Sequence, residues 1–286
     1  MLFSCTSHFF FVILPRQNLV RMYARFKIDV NEIRKLVYAI QKIGHDMSPI
    51  KFEDGKAKVY KSLDYFTCGV KDNDAVIDGS ALQNYVFPTG EEGKYHVFIS
   101  HSHDDMNDAL LLATYLQRYC NLNVFLDSYV WKSADGLLLK IDDKYCKQKD
   151  GKYNYHRRNF STAHIHAMLS MAIMDILNKT ECCIFIESNH SIKLSSLQNT
   201  NLAKTLSPWI YEEYAMMKTL PRHRTRSGSK FFCKAVGITE SRELMVAYKT
   251  NMASFMELNS KDLLSMCGEE KALEDLYVKY DNFENQ

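Results

Sequence analysis

The sequence predicts an α/β fold, a mostly parallel sheet covered by helices on both faces, and three observations predict it. Short, almost wholly apolar runs recur at residues 95–100 (YHVFIS), 123–127 (NVFLD) and 182–188 (CCIFIES). Amphipathic helical patterns separate them, and the order strand, helix, strand occurs twice within about ninety residues. Right-handed crossovers make the strands of such units parallel. The 286 residues, 46% hydrophobic and 24% charged, suit one large domain or two small ones.

From the N-terminus, residues 9–14 (FFFVIL) form an apolar run that no Lys or Arg precedes and that Pro15 and Arg16 close. It is too short for a membrane span and a poor signal peptide. A start at Met22 is an equal alternative, and it would leave residues 1–21 outside the fold. A helix is expected over 30–47, where Ile33, Val37, Ile40 and Ile43 recur at spacings of three and four. After Pro49 the chain turns irregular, with short strands expected near 57–60 and 74–77. Pro88, Gly90 and Gly93 mark a boundary. Residues 1–93 are therefore read as a small helical and irregular N-terminal extension, and residues 94–286 as the main domain with a C-terminal helical extension.

Within that domain, Asp105 is placed to cap a helix carrying Ala109, Leu112, Ala113 and Leu116 on one side. A polar stretch follows the second strand, and Ser161 opens a helix with Ile165, Met168, Leu169, Ala172, Ile173 and Ile176 on one face. Ser207 before Pro208 is a strong helix start, because serine caps and proline fits the first helical position. That helix is expected to run to about Leu220. Residues 230–236 and 244–248 are candidate strands, and 262–280 reads as helical.

Charge and cysteines bound the function. The net charge of +2 and pI near 8.0 give no argument for a nucleic-acid partner, and none is expected. The locally basic run 140–158 reads first as a solvated loop and second as an anion-attracting rim. Eight cysteines without a CxxC pair, two of them adjacent (Cys182 and Cys183), point to reduced thiols in a cytosol rather than to disulfides or zinc.

The strand ends VFISHS, VFLDS and FIES, followed by SPWIYEE at a helix start, together resemble the TIR (Toll/interleukin-1 receptor-like) family over roughly residues 95–250, and the chain is similar to bacterial TIR proteins of antiphage defence, including the Thoeris type. The resemblance implies a flavodoxin-like three-layer fold with about five strands. It also implies that Glu213, four residues after Trp209, is the carboxylate that cleaves the nicotinamide–ribose bond of NAD⁺. His101 and Ser102, with His103 beside them, would line the NAD⁺ pocket together with Trp209. NAD⁺ is then a substrate, and no cofactor or metal is needed. Assembly into a homo-oligomer, a downstream effector that answers a nucleotide product, a cytoplasmic location and no membrane partner follow from the same resemblance. The loop after the second strand, 131–159, is longer than usual and lacks the family's arginine, aspartate, proline, glycine pattern.

The residue chemistry is compatible with that expectation. Residues i and i+4 share a helix face, so Trp209 and Glu213 can meet one ligand. Nicotinamide leaves NAD⁺ as a neutral base, so one carboxylate near the sugar supplies the main electrostatic help. Glu212, three residues after Trp209, is the fallback. A non-catalytic TIR interaction scaffold is the alternative from another class. A metal-dependent hydrolase built on His101, His103 and Asp105 is a distant third. Met106 stands where that motif needs histidine, and His164 and His166, two residues apart on a helix, point about 200° from one another. Those two are read as a flanking core histidine and a surface one. No P-loop, GxGxxG or GxSxG appears.

Overall fold

The computed structural model describes residues 23–50, 61–71, 74–91, 93–131, 133–191, 204–205, 207–220, 248–250, 252–268 and 272–284. Strand β1 (Ala24–Asp29) leads directly into helix α1 (Val30–Lys42), whose first turn is capped by Asp29 accepting from the Asn31 N–H at 2.7 Å. Ile33, Leu36 and Ile40 are buried as the periodicity requires. The helix stops short of the expected Met47, because Gly44 adopts φ +83° and reverses the chain. Ile43, expected on the apolar face, lies beyond the helix end and is 65% exposed.

An exposed antiparallel hairpin follows, β2 (Thr67–Lys71) and β3 (Asp74–Ile77), and then α2 (Gly79–Val86). The main series runs β4 (Val97–Ser100), a 3₁₀ turn at His103–Asp105, α3 (Met106–Tyr119), β5 (Val124–Phe125), α4 (Asp127–Val130), α5 (Ala134–Ile141), a π turn at Asp142–Cys146, α6 (Tyr155–Lys179) and β6 (Cys182–Glu187). Short β7 (Lys204–Thr205) precedes α7 (Pro208–Thr219) and pairs antiparallel with β8 (Tyr248–Lys249). The described chain closes with β9 (Met256–Leu258), α8 (Ser260–Ser265) and α9 (Ala272–Glu284). Of the expected strands, 57–60, 230–236 and most of 244–248 lie outside the described residues, as do residues 1–22.

Five strands form one sheet in the order β5-β4-β6-β1-β9, with every neighbouring pair parallel. The fold is α/β, three-layered and flavodoxin-like. Counted from β4, the order β5-β4-β6 is the two-one-three arrangement of that fold. The fourth place is taken by β1, from the segment read as an N-terminal extension. It registers six residues with β6 and three with β9, so the expected boundary at Pro88 to Gly93 does not bound the sheet. Arg25 and Lys27 alternate with Ala24, Phe26 and Ile28 in β1, and these two charges mask the strand in the sequence.

The strand period of two sorts the core into two faces. Val97, Ile99, Ile184 and Ile186 point to one, beneath α1, α3, α8 and α9, while Phe98, Phe125, Cys183 and Phe185 point to the other, beneath α2, α5, α6 and α7. Each fully buried large apolar side chain contributes on the order of 1.5–3 kcal/mol. Helix α6 is long and apolar enough to cross a membrane, but its Ile165, Leu169, Ala172, Ile173 and Ile176 are buried in the second face.

Three further differences from the sequence reading have local causes. Helix α6 starts at Tyr155 rather than Ser161, since Asn154 caps it by accepting from the Arg157 N–H at 3.1 Å. The polar stretch before it folds into α5 and the π turn. The helical run 262–280 is split, with Gly268 at φ +79° between α8 and α9.

Candidate functional site at the carboxyl ends of β4 and β5

In parallel sheets, ligands bind outside the carboxyl ends of the strands, where successive crossover helices leave on opposite faces. Here that place is between β4, whose helix α3 covers the first face, and β6, reached through α6 on the second. β4 ends at Ser100, a buried hydroxyl, and the chain continues through His101 and Ser102.

Helix α7 supplies the opposing group. Ser207 caps it by accepting from the Ile210 N–H, and Pro208 sits in its first turn, as the sequence predicts. Its inward stripe is Ile210, Glu213, Tyr214 and Met217, at i, i+3, i+4 and i+7, so one carboxyl rides on the apolar face. Glu213 is only 6% exposed, and the Ser100 hydroxyl donates to its Oε2 at 2.5 Å. Burial pushes the Glu213 carboxyl well above the usual carboxylate range. The charge of Asp127 adds to that rise, the Ser100 hydrogen bond opposes it, and Glu212 adds a smaller push.

The loop after β5 joins the same cluster. Asp127 Oδ1 accepts from the Ser128 N–H at 2.7 Å and lies 3.2 Å from the Ser128 hydroxyl. Ser128 Oγ is 2.8 Å from His101 Nε2, and His101 Nδ1 lies 3.4 Å from the Ile99 carbonyl and 4.0 Å from Asp127. The His101 side chain is 2% exposed, so its ring is wedged between the ends of the two strands. Carboxyl, carboxylate, imidazole and two hydroxyls thus gather where β4 and β5 end.

Of the residues singled out in the sequence, Glu213 reaches the end of β4 through Ser100, the residue before His101, and His101 joins the loop after β5 through Ser128. Ser102 is half-buried at the start of the 3₁₀ turn, and its hydroxyl makes no capping hydrogen bond. His103 is exposed. Trp209 is half-buried against the second core face with its ring edge-on to His166 at 5.1 Å, so it leans toward α6. Glu212 also faces α6: burial raises its carboxyl, while a Ser170 hydrogen bond and the His166 ring lower it. Geometry therefore separates the two glutamates, with Glu213 at the strand ends and Glu212 between helices. In the sequence, the loops 100–104 and 127–131 read as ligand-binding ends of strands, but none of the side chains of Ser100, Asp127 and Ser128 is singled out there, although each directly follows or ends an apolar run.

Asp105 does not cap α3 with its side chain; it is buried and accepts from the Ser188 hydroxyl at 2.5 Å. His101 points inward, His103 outward and Asp105 toward the β6 loop. Among the described residues no group of three or more His, Cys, Asp or Glu could hold a metal ion. His164 and His166 are both exposed, so the expectation of a flanking core histidine does not hold. A separate cavity of about 280 Å³ opens on the first face, between the N-termini of α1 and α3 and the loop after β6. Arg34 in its wall is bound to Asp108 at 3.2 and 3.0 Å.

No family model, no curated protein and no solved structure matches the chain.

Proposed function

We propose that the chain is a TIR-type NAD⁺ glycohydrolase or cyclase that breaks the nicotinamide–ribose bond, with Glu213 as the catalytic carboxylate, in cytoplasmic antiphage signalling of the bacterial kind. The observation that carries this reading is the Ser100 to Glu213 hydrogen bond, which sets one buried carboxyl at the carboxyl end of the first strand of the two-one-three unit. Breaking the glycosidic bond leaves neutral nicotinamide and a positive ribosyl centre, and a carboxylate in a water-poor site stabilises that charge. Burial favours the neutral form of this carboxyl. The cationic pyridinium of NAD⁺ favours its ionised form, so substrate binding and activation of Glu213 are linked. His101 and Ser128, bonded to one another at the ends of β4 and β5, would serve as polar partners for ribose hydroxyls or the attacking water. Assembly into a homo-oligomer and a nucleotide-responsive effector belong to the same proposal.

A non-catalytic interaction scaffold is favoured by one observation: Glu213 is closed off, with its carboxyl already hydrogen-bonded inside the protein. The test that separates the two is NAD⁺ consumption by the full chain. Turnover lost in Glu213→Ala and retained in Glu212→Ala supports the enzyme, and absence of turnover with assembly intact supports the scaffold.

A further inference from the structure

The basic run 140–158 carries seven Lys and Arg against three Asp, a net +4 in a chain whose total is +2, so the remainder of the molecule is slightly acidic. The fold makes this run a fixed projection rather than a loose loop. Lys147 and Tyr153 form an antiparallel bridge, Gly151 turns the chain at φ +83°, and the Asn154 N–H donates to the Cys146 carbonyl at 2.7 Å. The base is pinned from inside: buried Asp142 accepts from Arg158 Nε at 2.9 Å and from Ser161, and Tyr153 donates to Asp143 at 2.6 Å. Asp142 is thereby buried in the base of the hairpin, while Asp143 stays exposed and lies 3.7 Å from Lys147. Lys147, Lys149 and Lys152 are exposed at its tip, and among the described residues Lys149 and Lys152 have no ion-pair partner.

The helix that leaves this hairpin bears a second feature. His156, Phe160 and His164 recur every four residues along one exposed face of α6, with Tyr155 and Asn159 alongside. Phe160 is 70% exposed and Tyr155 44%, although among the described residues seven of the eight other Phe side chains are buried. A fixed cluster of ammonium groups followed by a stripe of flat rings has the two components that bind an unpaired nucleic-acid strand: charges for successive phosphates and faces for successive bases. A duplex offers no free base faces to the rings. A lipid surface would call for several protruding aliphatic side chains, whereas here polar imidazoles flank one phenylalanine.

We propose that the 147–152 hairpin tip and the Tyr155, His156, Phe160, His164 face form a binding surface for single-stranded nucleic acid, independent of the Glu213 cluster and of the reaction assigned to it. This assigns the positive charge to one element, where the whole-chain total hides it.

The test is fluorescence anisotropy of the full chain with a fluorescein-labelled mixed-sequence single-stranded oligonucleotide of roughly twenty nucleotides, titrated across salt concentrations. The logarithm of the affinity falls linearly with log salt concentration. The Lys147→Glu, Lys149→Glu, Lys152→Glu triple variant weakens binding by roughly thirtyfold or more and flattens the salt slope by about 0.7 for each phosphate that is no longer neutralised. Phe160→Ala weakens single-strand binding by roughly fivefold or more and leaves the salt slope unchanged. All of these changes are at exposed positions, and circular dichroism checks that each variant keeps the wild-type fold. Absence of binding at about 50 mM salt overturns the proposal. So does equal binding of the triple variant, duplex binding as tight as single-strand binding, or equal capture by vesicles of anionic phospholipid at matched phosphate concentration.

Discussion

Ser100 Oγ donates to Glu213 Oε2 at 2.5 Å, joining the last residue of β4 to the inward stripe of α7 across 113 positions of sequence. It is the only protein donor that the structure aims at this carboxyl among the described residues, in a place where an unpaired carboxyl is costly.

Replacing the donor exposes that cost. Ser100→Ala leaves a buried carboxyl without its partner and lowers unfolding free energy by about 1–3 kcal/mol. Glu213→Gln preserves the shape and removes the ionisable group, and it costs less than Ser100→Ala. Urea denaturation of the two variants beside the wild type checks the order; equal stability of Ser100→Ala and wild type contradicts the buried hydrogen bond.

The ionisation of Glu213 makes stability depend on pH in a stated direction. Its folded pKa lies above the unfolded value, so the folded state holds a proton that the unfolded chain has already released. Stability is fully present below the unfolded pKa and is lost as pH rises toward the folded one, at about 1.4 kcal/mol per pH unit within that window. The thermal midpoint therefore falls with rising pH above about 4.5, and Glu213→Gln flattens that part of the curve. A wild-type midpoint that rises through the same range, with no change in Glu213→Gln, runs against the assignment.

After burial, the charge of Asp127 is the next cause that raises the Glu213 carboxyl. Asp127→Asn removes a negative field, so Glu213 ionises more easily and the acidic limb of the pH dependence of NAD⁺ cleavage moves to lower pH. A limb that stays in place puts Asp127 outside the electrostatics of the site.

Strand β1 (Ala24–Asp29) brings the segment read as an N-terminal extension into the sheet. A fragment of residues 94–286 lacks the strand between β6 and β9, and it shows no cooperative thermal transition, whereas the full chain melts cooperatively. Phe26→Ala, in the middle of β1 and fully buried, costs about 3–5 kcal/mol. A cooperative melt of the short fragment contradicts the integral role of β1.

What could be read without coordinates divides along the same physical lines. The apolar runs at β4 and β6, the stripe of α3 and the serine and proline at the start of α7 are local signals, and all four appear where the pattern puts them. β1 is hidden because Arg25 and Lys27 occupy its second face, and Arg25 is buried there with its guanidinium bonded to the Ser254 carbonyl and Glu284. At the site, Glu213 and His101 could be singled out by motif. The convergence of Ser100, Asp127 and Ser128 on them could not, because these residues meet only through strand pairing and helix docking. The hydroxyl and the second carboxylate stand at strand ends, where a sequence shows only the close of an apolar run.

The most direct test of the central claim is NAD⁺ consumption by the purified full chain at high protein concentration with a crowding agent, comparing wild type with Glu213→Ala and Glu212→Ala. Turnover is expected in the wild type and in Glu212→Ala, and none in a folded Glu213→Ala. Turnover that survives in Glu213→Ala, or a folded and assembled wild type that leaves NAD⁺ intact, contradicts the assignment of Glu213 as the catalytic carboxylate.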